Sequence, residues 1–594
     1  MTGEARIERL PALEAPGGIE ADIAIVGAGA CGVTLASELA GTGRRVLLVE
    51  SGAAGAAPEH EALNEVEVDA GTWSAAQAEM RAAFHSVLAE HWSAERQRFG
   101  VRVRGLGGST IAWAGKCSEL DPIDLEARGW LAMSGWPISW EDLEAPYARA
   151  REMLGLAERP QGAALWGALG KRPPEPRLDG GALRDFFWEI ARDPEAPGDT
   201  VRMGAVLGRL ASGRVRVLTE ATVTRILLSE DGARAAGLEA RDLSGRRVRV
   251  RAPVCVLAAS CIENARLLLA SRGRHAAGIG NAEDMVGRCL MDHPVAELGR
   301  YGPDHAQAVT ARFGFFTGRI GARRHLFMHG LALSEAVQRA EGLHNGAVYM
   351  AEERALDDPF SAAGRLLRRR SEAPMRDLGF VLASPGRVMR GLGARALQHP
   401  RVPRAVSGAV IDAVLRAMPN AAVNEFRFGK LPYKFTGARV EGVTEQAPDP
   451  ENRVTLSGRA DALGQPLPRV RWRVGAAERA ALLRQAELLE GALARAGLPA
   501  FEPAPWVRDR RPEEAVAIDL GHTLGATRMS ASPRRGVVDA RQQVHGVRGL
   551  YVAGGSVFPT SGHTNPTLTM MALTVRLARL LARETAPGLP ARAA

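Results

Sequence analysis

Apolar residues run unbroken over Ala24–Val26, stop at a cluster of glycines, resume at helical spacing to about Ala40, and run unbroken again over Val46–Val49. Short continuous runs of this kind read as strands buried on both faces, and the spaced run between them as a helix lying across them. "ATVTRILL" (221–228) and "RVRVRAPVCVLAASCIENARLLLAS" (247–271) repeat the strand-then-helix pattern, so the buried sheet is expected to resume after an insertion. It returns once more in "VRGLYVAGGSVFPTSGHTNPT" (547–567), a strand followed by Gly554, Gly555 and Ser556. Beyond it Met570, Leu573, Leu577 and Leu580 recur at helical spacing, with Arg576, Arg579 and Arg583 toward the C-terminal end. Asn565 and Pro566 read as N-cap and first helical residue, since Asn accepts a free N–H and Pro lacks one.

Between these blocks the pattern changes. "GWPISWEDLEAPYARAREMLGL" (135–156) reads as a surface helix capped by Ser139, and "AERAALLRQAELLEGALARAGL" (477–498) as an amphipathic helix with Gly497 near its end. "VRMGAVLG" (201–208), "VNEFRFGK" (423–430) and "EQAPDPENRVTLSGRADALGQPLPRVRWRV" (445–474) show short β-like runs split by Pro, Gly and Asn. They predict an antiparallel sheet that floors a pocket. No internal repeat or low-complexity tract is present.

Composition narrows the class. A 594-residue chain with 46% hydrophobic and 24% charged residues builds large cores, expected as two domains, and is not a disordered protein. The net charge of +9 comes almost wholly from Arg, with Lys only at 116, 171, 430 and 434. The one dense cluster, "GRLLRRRSEAPMR" (364–376), lies near further arginines up to Arg416. It reads as a solvated helical face, with contact to a membrane surface or a subunit as the alternative. Aromatic residues at 5% offer no stacking platform for a nucleic-acid partner. Cys31, Cys117, Cys255, Cys261 and Cys289 are odd in number and scattered, so buried thiols in a reducing compartment are expected, and no metal site. The first twenty residues lack the apolar core of a secretion signal, and no run of about 18 apolar residues crosses a membrane, so the expected localisation is cytoplasmic.

The chemistry begins at Gly27, Gly29 and Gly32, a G-x-G-x-x-G placed between strand and helix. Gly27 permits the tight turn, Gly29 lets backbone approach a pyrophosphate, and Gly32 lets the helix pack on the strand. Glu50, about 20 residues later, is positioned to bind both hydroxyls of an adenosine ribose, so the site takes FAD or NAD. "RVRGLGGSTIAWAGK" (102–116) adds a second glycine loop, Gly105, Gly107 and Gly108, followed by Ser109 and Thr110. Its N–H groups and hydroxyls suit a cofactor that extends past the pyrophosphate, which favours FAD.

With "VGAGACG", "RGLGGSTIAWAGK", "ASCIENARLLLAS", "VGRCLMDHP", "GHTLGATRM" and "LYVAGGSVFPTSGHTNPTLT" in that order, the chain resembles the glucose-methanol-choline (GMC) oxidoreductases. The match is sparse from about 300 to 430. The resemblance implies an α/β (α+β overall) fold, a discontinuous Rossmann-like FAD domain with an inserted substrate domain on an antiparallel sheet flanked by helices. Its expected boundaries are 20–295, with excursions near 60–100 and 120–200, then 296–514 for the substrate domain and 515–594 for the second FAD part. Carried over by residue, the catalytic pair is His522 and Asn565, with the helix behind Pro566 turning its positive end to the flavin. The cofactor positions implied are Gly27, Gly29, Cys31, Gly32, Glu50, Gly105, Gly107, Gly108, Ser109, Thr110, Val223, Gly555, Ser556, Pro566 and Thr567.

Pyranose oxidases attach FAD to a His that aligns here with Ala112, so the resemblance implies FAD held non-covalently. His563 is a pocket candidate, with a supporting or solvent role as the alternative. Asp292 and His293 read as structural, and Cys117 as packing. The activity implied is oxidation of a CH–OH group in a sugar, glycoside, polyol or other alcohol, by proton abstraction at His522 and hydride transfer to flavin N5. The alternatives are a flavin monooxygenase, an NAD-linked dehydrogenase, or a non-catalytic FAD-bound scaffold. Electrons then pass to oxygen or to a separate acceptor, since no haem-attachment C-x-x-C-H occurs; an oligomer is possible.

Overall fold

Strand Ile23–Val26, buried at every residue, has parallel partners on both sides, Val46–Val49 and Val254–Leu257. Their near-continuous Val, Ile and Leu content follows from having no solvent face. The sheet extends through Val215–Thr219 to Arg6–Arg9 on one side and to Leu550–Val552 on the other, six parallel strands drawn from residues 6 to 552. In this computed structural model the described residues are 5–584, apart from 14–17, 56, 87–91, 179, 194–199, 211–212, 355–358, 368–370, 372, 398–401, 421 and 424–434. The fold is the mixed α/β class expected, with a discontinuous parallel sheet.

The first helix, Ala30–Leu39, crosses from Ile23–Val26 to Val46–Val49 and buries Val33, Leu35, Ala36 and Leu39. Its approach is limited at Gly32, where any Cβ would collide with the Gly27 carbonyl oxygen. The strand order reverses at Ile23–Val26, which leaves a crevice beyond the carboxyl ends of these strands, the usual ligand position in such sheets.

A larger antiparallel sheet stands against this crevice. Its order is Glu502–Pro503, Val295–Tyr301, Phe435–Thr444, Gly346–Arg354, Arg323–Leu333, Leu183–Ile190 and Lys116–Cys117, with Phe315–Ile320 paired to Arg323–Leu333. Alternation of side chains gives it two faces. Leu298 and Val440 pack under Leu482, Ala486 and Leu489 of helix Ala476–Arg495. On the opposite face Phe186, Trp188, Met328 and Tyr349 form a small apolar cluster.

Three sequence expectations change here. Residues 201–208 hold a helix, Met203–Gly208, not a strand; Met203 and Leu207 are four apart and both buried, which is helical spacing. Strands Arg453–Ala460 and Pro466–Arg471 pair with Glu67–Val68 in a separate three-stranded sheet, so 445–474 does not floor the pocket. Thr222–Leu228 and Arg247–Arg251 join Ala235–Arg241 and Ile19–Glu20 in their own four-stranded sheet, and only Val254–Leu257 rejoins the parallel one. Most of "VNEFRFGK" lies outside the described residues. All five cysteines are buried and unbridged. Among the described residues, no helix is long and apolar enough to cross a membrane.

The segment after helix Pro122–Leu125 is tied to the end of strand Phe435–Thr444 by an ion pair with fully buried side chains. Arg128 donates from Nη1 and Nη2 to the two oxygens of Glu445, at 2.7 and 2.6 Å, and Glu445 also accepts from the Asn345 N–H. We expect Arg128→Met to lower stability by about 3–5 kcal/mol in urea unfolding, because a buried carboxylate is left without its cation. The double variant Arg128→Met/Glu445→Leu should recover much of that loss; an additive cost from the second substitution would contradict this reading.

Candidate active site

His522 sits in a loop drawn to the antiparallel sheet by paired backbone bonds, Val295 with Ile518 and Met291 with Leu524. Asp292 reinforces the junction, its Oδ1 accepting the N–H of His293 at 2.8 Å and of Leu520 at 2.9 Å. The two loops thereby bring the imidazoles of His293 and His522 together, Nδ1 to Nδ1 at 3.0 Å. His293 Nε2 lies 3.2 Å from the Ser561 carbonyl, which only accepts. The proton of His293 is therefore on Nε2, and its Nδ1 is an acceptor. His522 must donate from Nδ1, which leaves the lone pair on Nε2. Asn565 Nδ2 lies 3.2 Å from that atom and donates to it.

Burial keeps this chain of rings neutral. It lowers His293 to about 4 and, together with the nearby His293, His85 and Lys116, drives His522 well below the usual imidazole range. The acids behind them divide. Burial, then the adjacent Asp519, push Asp292 well up, whereas at Asp519 the pull of Arg81 and His85 outweighs burial and holds it low. Asp519 accepts from Arg81 Nε and from the Gly100 N–H and lies 3.4 Å from His85 Nε2.

The side chain of Asn565 thus goes to His522 and does not cap the last helix. That helix spans Thr567–Glu584, its first bond running from the Met570 N–H to the Pro566 carbonyl, so the expected start is displaced by a residue. The N–H groups of Thr567, Leu568 and Thr569 precede that bond, and the helix presents a positive end beside Asn565.

A cavity of about 1070 Å³ runs from Gly27 past His522 to Tyr349 and Glu353. Of the sequence candidates, Gly27, Gly29, Cys31, Glu50, Gly108, Ser109, Thr110, Val223, Gly555, Pro566, Thr567, His522, His563 and Asn565 line it, as does Ala112. Gly32, Gly105, Gly107 and Ser556 do not. Gly32 serves helix packing, the Gly105 N–H donates to Glu50, and Ser556 accepts from Asn264 Nδ2 in the core.

The donor set fits a dinucleotide that continues beyond its pyrophosphate. No side chain caps the first helix, so its N–H groups are open to an anion. Gly29 and Gly108 press so close that a Cβ on Gly108 would stand 2.8 Å from the Gly29 Cα, and past them the cavity continues to His522. Glu50 differs from expectation in one respect. Its carboxylate already accepts the N–H groups of Ala28, Gly52 and Gly105, at 2.8, 2.7 and 3.1 Å, which fills three of about four lone-pair directions. One direction is left for a ligand hydroxyl, and the other three tie the glycine loops together.

The far end of the cavity joins the expected pocket candidate His563 to Lys116, Trp188 and Tyr349, which sequence reasoning passed over. Lys116 Nζ lies 4.6 Å from the ring centre of Tyr349 and 5.4 Å from that of Trp188. His563 is buried 4.8 Å from the Phe186 ring with Asp121 and Asp124 near, and neither ring nitrogen has a hydrogen-bond partner in the protein. Burial lowers it to about 4. Lys116 closes the "RGLGGSTIAWAGK" motif and was legible as one of few lysines; Trp188 and Tyr349 had no signal.

Two GMC oxidoreductase profiles match residues 202–295 and 448–574. The chain is 25% identical to the fructose dehydrogenase large subunit of Gluconobacter japonicus, over 96% of this chain and 99% of that protein. It is 26% identical to the 6'''-hydroxyparomomycin C oxidase of Streptomyces lividus, over 95% and 92%. Its fold is similar to a fungal aryl-alcohol oxidase, with TM-score 0.54 and 16% identity over 96% of this chain and 100% of that one.

The depressed imidazoles have a consequence for acid stability. A His held neutral in the fold, near 4 against about 6.5 when unfolded, binds fewer protons than the unfolded chain between those values. Its contribution is full above pH 6.5 and is lost as pH falls toward 4, up to about 3 kcal/mol for His563. Replacing His563 with Asn should flatten the fall of the urea midpoint over that window. Parallel wild-type and variant profiles would contradict it.

Proposed function

Since the chain belongs to the GMC oxidoreductases, an FAD-dependent family, we propose that it oxidises a CH–OH group of a sugar, glycoside or polyol to the carbonyl, with FAD held non-covalently. The observation that carries this reading is the lone pair of His522 Nε2, facing the cavity 3.2 Å from the Asn565 amide. That the chain is similar to a fructose dehydrogenase subunit and an aminoglycoside oxidase supports a polyhydroxylated substrate. The mixture of Trp188, Tyr349, Lys116 and His563 in the cavity wall also suits one, with apolar faces for sugar carbons and polar groups for hydroxyls.

Residues 20–295 and 515–594 would hold the cofactor, and 296–514 the substrate side. Glu50 would take the ribose, the open end of the first helix the pyrophosphate, and the 105–112 loop with Val223, Gly555 and the start of the last helix the remainder. When bound, the flavin supplies the hydride acceptor. A substrate hydroxyl entering between His522 and Asn565 donates to Nε2 and accepts from the Asn565 amide. His522 takes its proton at Nε2, and the resulting positive charge is shared through Nδ1–H with His293 Nδ1 and, beyond, with the Ser561 carbonyl. His293 is thus a positioning residue that fixes the tautomer. Electrons leave to oxygen or to a separate acceptor.

In anaerobic stopped flow with a panel of sugars, glycosides and polyols, His522→Ala should stay yellow while flavin bleaching slows by roughly 10²–10⁴-fold. The deficit should shrink as pH rises and hydroxide replaces the base, and Asn565→Ala should cost less. Unchanged bleaching in His522→Ala would reject the base assignment. A wild type that no member of the panel bleaches would favour a non-catalytic scaffold.

Acid precipitation should release the flavin, because Ala112 offers no imidazole. Glu50→Ala should weaken FAD binding by about 1–3 kcal/mol, through one lost charge-assisted bond and a loosened loop. Colour retained in the pellet would contradict the first expectation, and full occupancy of the variant at micromolar FAD the second.

A further inference from the structure

Large apolar side chains that stand in solvent are concentrated in one part of this molecule. Among the described residues, nine of the eleven lie between 367 and 418, and the others are Ile7 and Leu243. Leu367 and Met375 are 84% and 81% exposed, and Leu382, Met389, Leu392 and Val406 also stand out. They sit on four successive helices, Pro359–Leu367, Pro374–Ala383, Pro385–Leu397 and Arg404–Ala417. The first three pack on one another, held in part by Asp377, which accepts from Arg365 and from the Ser371 hydroxyl. The fourth turns Ile411, Val414 and Leu415 inward onto Phe315 and Leu326. The fourth helix is thereby anchored to the antiparallel sheet, and the first three form a packed group with their apolar side chains exposed.

The same stretch carries the charge. Residues 359–418 contain eleven arginines against Glu372, Asp377 and Asp412, a surplus of eight out of the chain's net +9. Two of the three acids are already engaged, Asp377 by Arg365 and Asp412 by Arg416.

We propose that this helical face docks on the surface of an anionic lipid bilayer. A bilayer offers both things this stretch asks for, phosphate oxygens for its surplus of guanidinium groups and an apolar layer within about 5–10 Å of them for the exposed Leu and Met. A second copy of the chain offers the reverse. Across a two-fold axis it would set the same positive surplus against itself. Phe315 and, just beyond the fourth helix, Asn420 also line the cavity, and the Asn420 carboxamide oxygen accepts the Phe315 N–H. This surface stands independently of the reaction proposed above.

Vesicle sedimentation of the full-length, flavin-loaded protein tests it. The protein should pellet with vesicles of phosphatidylcholine mixed with phosphatidylglycerol at low salt. Binding should fall at least about tenfold with phosphatidylcholine alone or at high salt. The triple variant Leu367→Glu/Met375→Glu/Leu382→Glu should lose a similar factor while keeping its far-UV circular dichroism and its flavin colour. The proposal is overturned if wild type stays in the supernatant, or if the variant pellets as well as wild type. It is equally overturned if wild type forms a dimer without lipid that the variant abolishes, since a second copy then covers the face.

Discussion

A buried carboxylate needs donors, and in this protein the donors are backbone N–H groups from loops far apart in sequence. Glu50 collects those of Ala28, Gly52 and Gly105; Asp292 collects those of His293 and Leu520; Asp519 takes that of Gly100 with the Arg81 side chain. Each acid fixes a pair of loops whose own side chains face the cavity. An acid held in its charged form, as Asp519 is, binds such an N–H about twice as strongly as a neutral acceptor, so that junction is stiff where irregular backbone would otherwise be loose. The positions of His522, Gly108 and the first glycine loop all depend on these acids.

The histidines obey the opposite rule. His293, His522 and His563 are useful because they are kept uncharged, and burial does this without a neighbouring cation being required. The Ser561 carbonyl then decides which nitrogen of His293, and through it of His522, holds a proton. A single acceptor at one end of the chain of rings sets the direction of a lone pair two rings away. The acids and the imidazoles therefore divide the work, one fixing loop positions and the other fixing proton positions.

The parallel sheet was legible because its strands are short, fully buried and flanked by glycine motifs, each a local signal. Ile23–Val26 and Val46–Val49 lie where the pattern placed them, and the first and the amphipathic helices match within a residue or two. An antiparallel sheet was expected, but its strands were not legible, because the central ones fall between 300 and 444, where no motif marks them and their pairing is set by contacts across the sequence. His293 was visible as part of "VGRCLMDHP" and was read as structural. Its contact with His522 spans 229 residues, and no local pattern carries that information. The Asn565 side chain shows the same limit, since a local rule made it a cap and a distant imidazole claimed it.

The parallel sheet also sets a timetable. Its strands enter from residue 6 to residue 552, so the edge formed by Leu550–Val552 is the last part of the sheet to leave the ribosome. At roughly 5–20 residues per second, Val254–Leu257 waits about 15 seconds to a minute for that neighbour. Until then Val254–Leu257 has an unpaired edge of buried-type residues, an invitation to the wrong partner. His522 and Asn565 arrive in the same final stretch. A nascent chain of this protein is therefore an unfinished sheet for most of its synthesis, with an edge that the finished sheet covers.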